Sequence, residues 1–502
     1  VATVTVALLV KRFLADHARN PVNLLVLALV PVVFVMLAAE QLSRVGDVLG
    51  GDSGRVPVEA ITAGWAAGFV GAIGMYFQIS TARQSDRRLV IAGLRRRTLT
   101  GARMLSGAAL GTLAAAAAVA ALATRGAIDD PARVVAGTAL FTVIYLSLGA
   151  LAGAFIRNPV NATMALLFVW IVDVFFGPAM NGTDRPALRA LPTHFVTLWT
   201  AGLEPGHAGP GPLLGALAWA GTAFVLAYLA VLQTTSVARE PRAARAGPRS
   251  QVIAGIRMAW RSWRRTPVLW VLLVAVPTVF IWLADVLTPH GSIPVRLREG
   301  ARDVVLLFDP AHIHAGTMAP IAIGSLAALA GVFIALDAQS ADQRLVIAGV
   351  RPRVVLAVRL STVAAACALA TAASLGMTAV LFGAHQWPVY ALGNGLIAVT
   401  YGLVGMIVGP AVGRVSGSLI AFLVPFLDLA IGQSPMLREG PSGWAQYLPG
   451  YGATRALLDG ALTETFDEGL SLLIAAGWVL ALVAAASVQI RYERASGMLP
   501  AR

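Results

Sequence analysis

Lysine is nearly absent from this 502-residue sequence: of its 38 basic side chains only Lys11 is not arginine. That absence excludes a nucleotide-hydrolysing P-loop, which needs a lysine directly after a glycine-bearing loop; Lys11 follows "TVALLV" with no glycine nearby. Cysteine occurs once, at Cys367, so no disulfide can form within the chain. Charged residues make up only 13%, against 57% hydrophobic, and mean hydropathy is +0.75, too little polar surface for a water-soluble globular domain. Candidate metal ligands are sparse. His312 and His314 in "DPAHIH" lie near Asp309, but two histidines at i, i+2 without convincing further ligands read as ordinary loop residues. No metal site and no catalytic cluster are expected, so the chain does not read as an enzyme.

What is present is a series of apolar runs. About 20 helical residues cross the roughly 30 Å hydrocarbon layer. Twelve such runs are expected, near 22–43, 59–80, 101–124, 134–156, 160–178, 213–236, 267–287, 317–338, 357–380, 389–411, 415–432 and 468–490. The fold class is an all-α membrane protein. With both termini on the inner side, about 27 of the 38 Lys and Arg fall inside, in keeping with the positive-inside rule. The net charge of +13 thus reports orientation in a membrane, and no nucleic-acid partner is expected. The apolar "VATVTVALLV" precedes Lys11 and Arg12, the wrong order for a secretory signal. The bias to arginine suggests a GC-rich bacterial genome, and the expected location is the bacterial inner membrane.

One phrase occurs twice. "DRRLVIAGLRRR" (86–97) returns 256 residues later (342 − 86) as "DQRLVIAGVRPR" (342–353). It is the centre of a longer match, with "RNPVNLLVLALVPVVF" (19–34) answering "RTPVLWVLLVAVPTVF" (265–280) and "LPTHFVT" (191–197) answering "LPGYGAT" (448–454). Shared prolines start and bend the first helix of each half alike. The expected organisation is a first six-span half over 1–237, a linker over 238–250 ("SVAREPRAARAGPRS" surrounds it), and a second half over 251–502. Six spans separate the copies of the phrase. Both copies then lie on one side of the membrane, making the repeats parallel.

Each half opens with an amphipathic segment. Val6, Leu9, Val10, Phe13 and Leu14 share one helical face; Ile253, Ile256, Trp260 and Trp263 do so in the second half, with arginines around them. Both read as helices in the inner interface. In the repeated phrase, Arg87, Arg88, Arg95, Arg96 and Arg97 cannot sit in hydrocarbon, at roughly 2.5–3.5 kcal/mol each. Yet its middle is apolar. A short separate helix is expected, capped by Ser85 or Asp86 and ended by Gly93, carrying Leu89, Val90 and Ile91. The second copy places Asp342, Arg344, Leu345, Val346, Ile347 and Gly349 equivalently. Such an element is a knob with an apolar tip and charged shoulders, suited to a groove on another protein.

This layout resembles the permease of type-2 ATP-binding-cassette exporters, in the fused two-repeat form of tetronasin-type antibiotic efflux permeases. The resemblance rests on an amphipathic helix before the first span, a short helix between the second and third, and a long outer loop with Leu-Pro before the sixth. It covers 6–237 and 251–492, and implies several things. The phrase would be the coupling helix that docks into the ATPase, with contacts from 86–93 and 342–349. The segments bearing Phe13, Leu14, Trp260 and Trp263 would be connecting helices. This chain would bind no cofactor, ATP and Mg residing in a separate ATPase present as two copies per permease chain. The cargo would be a hydrophobic compound, lodged between the second and fifth spans near Met75, Phe168, Trp170, Phe175 and Phe176, and near Phe422 and Phe426. The glutamates usual in that family's coupling helix are not found here.

The competing expectation is a proton-coupled secondary transporter of the major facilitator type. It also has six plus six spans, but its Gly-x-x-x-Asp-Arg-x-Gly loop is not matched at 82–93. Its proton carriers would be Asp173, Asp285 and Asp428, all near helix ends, where capping or water contact explains them as well.

Overall fold

The computed structural model describes residues 6–49, 58–126, 128, 130–181, 184, 186–202, 207, 209–234, 267–300, 302–347 and 352–496. The chain forms two compact units, Val1–Ala244 and Arg245–Arg502. In the first, α1 (Val6–Ala18) is followed by α2 (Pro21–Leu49), α3 (Val58–Ile91), α4 (Arg96–Arg125), α5 (Pro131–Phe155), α6 (Pro159–Phe176), a four-residue α7 (Pro178–Asn181), α8 (His194–Ala201) and α9 (Pro210–Thr234). Five of these begin with proline, whose fixed φ suits a first helical turn and whose missing N–H is not needed there. Three starts are also capped: Asn20 accepts the Asn23 N–H at 3.3 Å, Asp130 accepts that of Arg133, and Asn158 accepts that of Val160 at 2.9 Å.

Helix α3 is the axis of this unit. Nearly all of its apolar stretch is buried, and α2, α4, α5 and α6 pack around it. Its approach to α5 depends on Gly149, where an added Cβ would run into the carbonyl oxygen of Ala72. Without bulk lipid-facing contrast to drive association, small residues that let backbones meet are what hold membrane helices together.

The second unit contains α10 (Pro267–Leu287), strands β1 (Ile293–Glu299) and β2 (Arg302–Phe308), then α11 (Pro310–Ile347), α12 (Pro352–Leu381), α13 (Trp387–Pro425), a π-helical turn (Phe426–Gly432), α14 (Tyr451–Leu462) and α15 (Gly469–Ser496). Helices α12 and α13 start 256 residues after α4 and α5 (352 − 96, 387 − 131). The close approach recurs: a Cβ on Gly405 would strike the Ala328 carbonyl.

Among the described residues, ten helices are long and apolar enough to cross a membrane, the make-up of a multi-pass all-α membrane protein. Twelve runs are expected from sequence. The difference lies in the second unit, where 389–411 and 415–432 fall in one 46-residue helical stretch, Trp387–Gly432. That stretch is broken at Gly413 (φ +82), whose counterpart 256 residues earlier is Arg157, in the gap between α5 and α6. The run at 267–287 coincides with α10, which is not among the ten. The linker 238–250, and the segment with Trp260 and Trp263, lie outside the described residues.

The hairpin β1–β2 is not anticipated by the span assignment, which leaves 288–316 as loop. Its signal is present all the same. Val295 and Leu297 alternate with arginines and are buried, and Gly300 supplies the positive φ (+59) of the turn. The register pairs Ile293 with Phe308 and Glu299 with Arg302, and Arg296 N–H bonds the Glu439 carbonyl.

Candidate functional site

The repeated phrase does not form a separate helix. In the first unit Asp86–Ile91 is the last stretch of α3, which at 34 residues runs to about 51 Å, some 20 Å longer than the hydrocarbon layer. The expected cap at Ser85 or Asp86 is therefore corrected: no helix starts there. A charged end could project without a break because Arg83, Arg87 and Arg88 need only clear the apolar layer. They do so by lengthening the helix.

The ending is as expected. Gly93 takes φ +97, the Leu94 N–H reaches the Leu89 carbonyl and the Gly93 N–H reaches that of Val90, both at 3.0 Å. This is the double-bonded C-terminal motif that a glycine permits. Helix α4 starts three residues later. Around the turn, Arg88, Leu89, Ile91, Ala92, Gly93, Arg95, Arg96 and Arg97 are exposed, with Ile91 at 68%. Arg95 N-caps α4 with no side-chain bond, and no acidic residue occupies its first turn. Positive charge at the positive end of a helix dipole is locally unfavourable.

Asp86 and Arg87 sit elsewhere than the exposed tip. Asp86 is buried and takes both donors of Arg103, at 3.1 Å from Nε and 2.7 Å from Nη2. The Arg103 guanidinium lies 3.7 Å from the ring centroid of Phe13. Arg87 donates to the Thr234 carbonyl at the end of α9 (3.3 Å), and Arg83 donates to the Gly153 and Ile156 carbonyls at the end of α5. Cations there satisfy carbonyls that a helix end leaves open.

Helix α1 packs on this turn. Leu9 and Phe13 are buried against Leu99 and Ala102, with Val6, Val10, Val90 and Leu94 around them; Leu14 is half-buried. Two residues of its apolar stripe, Leu9 and Phe13, are thus buried by protein, while Val6, Val10 and Leu14 stay half-buried. Lys11 and Arg12 face outward. Burial, reinforced by Arg103 and opposed by Asp16, pushes the His17 imidazole below its usual range.

The second unit carries the same ion pair: Arg359 donates to Asp342 at 2.7 and 2.6 Å. Arg344, Leu345, Val346 and Ile347 continue α11 to its end, and Gly349 lies outside the described residues. Here too the phrase is the tail of a long helix.

At the opposite end of each unit is a feature sequence reasoning notes only as helix-end aspartates. Buried Asp173 accepts the Tyr145 hydroxyl (2.6 Å), the Thr193 hydroxyl (2.5 Å) and the Thr193 N–H (3.3 Å). Buried Asp428 accepts the Tyr401 hydroxyl, the Gly450 N–H (2.7 Å) and Gln433 Nε2 (3.0 Å). Thr193 and Gly450 follow the two Leu-Pro pairs, so each carboxylate staples a Leu-Pro loop to its bundle. The recurrence of Tyr and Asp at offsets that agree to within one residue (401 − 145 = 256, 428 − 173 = 255) is the signal that could have exposed it.

The residues expected to line a path, Met75 and six aromatic side chains, are buried except Phe168. Trp170 donates its indole N–H to the Trp65 carbonyl (2.8 Å), Phe422 stacks on Phe426, and Met75 lies among Ile79, Met104 and Leu146. Phe175 and Phe176 are buried and Phe168 half-buried. His314 bonds the Thr288 hydroxyl and His312 stacks on Phe382; among the described residues no group of three or more potential metal ligands converges. No family model matches the chain, and no curated protein matches it.

Proposed function

We propose that this chain is the membrane permease of an ATP-binding-cassette exporter, moving a hydrophobic compound out of a bacterial cell with energy from a separate ATPase. One observation carries the reading: the turn after α3 is an exposed apolar tip (Leu89, Ile91) collared by Arg88, Arg95, Arg96 and Arg97. Three arginines at an uncapped helix start are unfavourable in isolation, and a groove lined with acidic and apolar side chains relieves both problems. The same residues recur in "RLVIAG" at 344–349. Two copies of one ATPase would then seat on one permease chain.

On this reading the units are parallel six-span repeats, twelve spans in all. The break at Gly413 separates the tenth from the eleventh, and α10 belongs to the seventh. The turns and both termini face the cytoplasm of the inner membrane, and the stapled Leu-Pro loops face outward. ATP-driven closure of the ATPase pair would push on both turns, and rigid α3 and α11 would carry that motion to the far end.

The test is reconstitution with the candidate ATPase. Export should be vanadate-sensitive and indifferent to a proton uncoupler, with two identical ATPase chains per permease. Charge reversal at Arg88 and Arg344 together should uncouple hydrolysis from export while leaving the protein folded. Normal export by that double variant overturns the docking assignment. Export stopped by an uncoupler and untouched by vanadate would favour a proton-driven carrier instead.

A further inference from the structure

We infer that Arg103 is a positioning residue that joins α1 and the α3–α4 turn into one rigid body, so that force applied to the turn is delivered to α1 as well as to α3. The functional use of that body rests on the docking role proposed for the turn; the body itself does not.

Arg103 is one turn into the buried part of α4, with a side chain only 12% exposed against 7% for Asp86. Its guanidinium has two engagements. Its edge is occupied by both oxygens of Asp86, seventeen residues earlier on α3 (103 − 86), and its face is covered by the Phe13 ring on α1. A planar, delocalised cation is the side chain that can do both at once; an ammonium would keep the charge and lose the fork and the stacked plane. The apolar contacts close around the same point. Leu9 and Phe13 of α1, Val90 and Leu94 of the turn, and Leu99 and Ala102 of α4 form one cluster. Three elements meet at a single guanidinium. The fork is repeated by Asp342 and Arg359 in the second unit, again seventeen residues apart (359 − 342).

A junction of this kind makes local opening cooperative. If Arg103 releases, Asp86 is left buried without its counter-charge and Phe13 loses its cover, so α1 and the turn should loosen together. A short isolated helix such as α1, at 13 residues, has little stability of its own and depends on the contact.

The experiment is hydrogen exchange on the full chain in lipid nanodiscs, without any ATPase, comparing residues 6–18 with 87–97 and using 60–80 as an internal standard. Arg103→Gln should speed exchange in both segments at least tenfold and leave the standard unchanged. Arg103→Lys should recover less than half of the protection. The exchanged pair Asp86→Arg with Arg103→Asp should restore the turn, and α1 only partly, because an arginine on α3 no longer lies over Phe13. Phe13→Leu should loosen α1 alone. Loosening of the turn with α1 unaffected in Arg103→Gln overturns the inference, as does full recovery by Arg103→Lys. Should Arg103→Gln not yield folded protein, the Lys and Leu variants decide by the same criteria. Since no ATPase is present, failure of the docking role leaves these outcomes untouched. A rigid body found here alongside absent ATPase binding would refute the docking role alone.

Discussion

In the first unit Arg83 reaches from α3 to the carbonyls that end α5, and Arg87 to the one that ends α9. The second unit has Gln339 and Gln343 at those positions (339 − 83, 343 − 87). It ties the same pair of elements differently, with Arg414 in the middle of α13 paired to Asp337 of α11 at 2.6 Å. The fork between the two helices flanking the turn, by contrast, is the same in both units. The difference separates two kinds of polar contact. Where a carboxylate is buried, as Asp86 is, its oxygens must be met by fixed donors, which the forked guanidinium of Arg103 supplies here and hydroxyl and N–H groups supply for Asp173. Where side chains are partly exposed, water can stand in for either partner, and the anchor can change residue, direction and position.

The largest effects are expected at the closest helix contacts. Gly149→Val and Gly405→Val each set a side chain against a facing carbonyl oxygen, of Ala72 and Ala328. Each should cost about 3 kcal/mol or more, since backbone cannot yield as a side chain does. Thermal unfolding of the purified protein should fall by similar amounts for the two; a drop confined to one unit would end the claim of equivalent packing.

A middle-sized effect is expected at the anchors. Arg83→Gln removes charged hydrogen bonds to helix-end carbonyls and should cost about 1.5–3 kcal/mol. Arg414→Gln removes a pair whose side chains are 40% and 51% exposed, worth about 0–1 kcal/mol. Equal losses in the same unfolding assay would mean that the two anchors are not different in kind.

The smallest effects are with pH, and they run in opposite directions. The Arg189 guanidinium and His194 hold the Asp184 carboxyl down at about 2. Its contribution is full above the ordinary carboxylate value near 3.8, and is lost as pH falls from about 4 to about 2. In the second unit Asp309 raises His290 above 6.5, so that contribution is full below 6.5 and fades as pH rises through the elevated value. Local hydrogen exchange should quicken around Asp184 only in acid, and around His290 only toward alkaline pH. The same direction at both sites would contradict the assignments.

Much of this was legible in the residues. The prolines at 21, 131, 159, 210, 267, 310 and 352 mark helix starts because a first turn suits their fixed φ and does not need the missing N–H, whereas Pro31, Pro277, Pro320 and Pro410 lie inside helices. Gly93 marks a helix end because the left-handed residue there is costly with a Cβ. That the phrase continues α3 without a break was not legible. Ser85–Asp86 is a fair capping pair on local grounds, and only the folded chain shows α3 running through it, with Asp86 turned to Arg103. Nor was the stripe of α1 legible as a protein contact, since apolar residues at helical spacing suit lipid and protein alike.

The amino-acid order alone set the membrane character, the lack of a nucleotide loop and the recurrence of one phrase at a spacing of 256 (342 − 86), because these follow from composition and repetition. Tertiary structure alone decided which charges are partners. Asp86 with Arg103, and Asp173 with Tyr145 and Thr193, join residues on different elements that no spacing rule connects. A buried carboxylate must find donors wherever the packing of helices brings them, and that packing is a property of the folded chain as a whole.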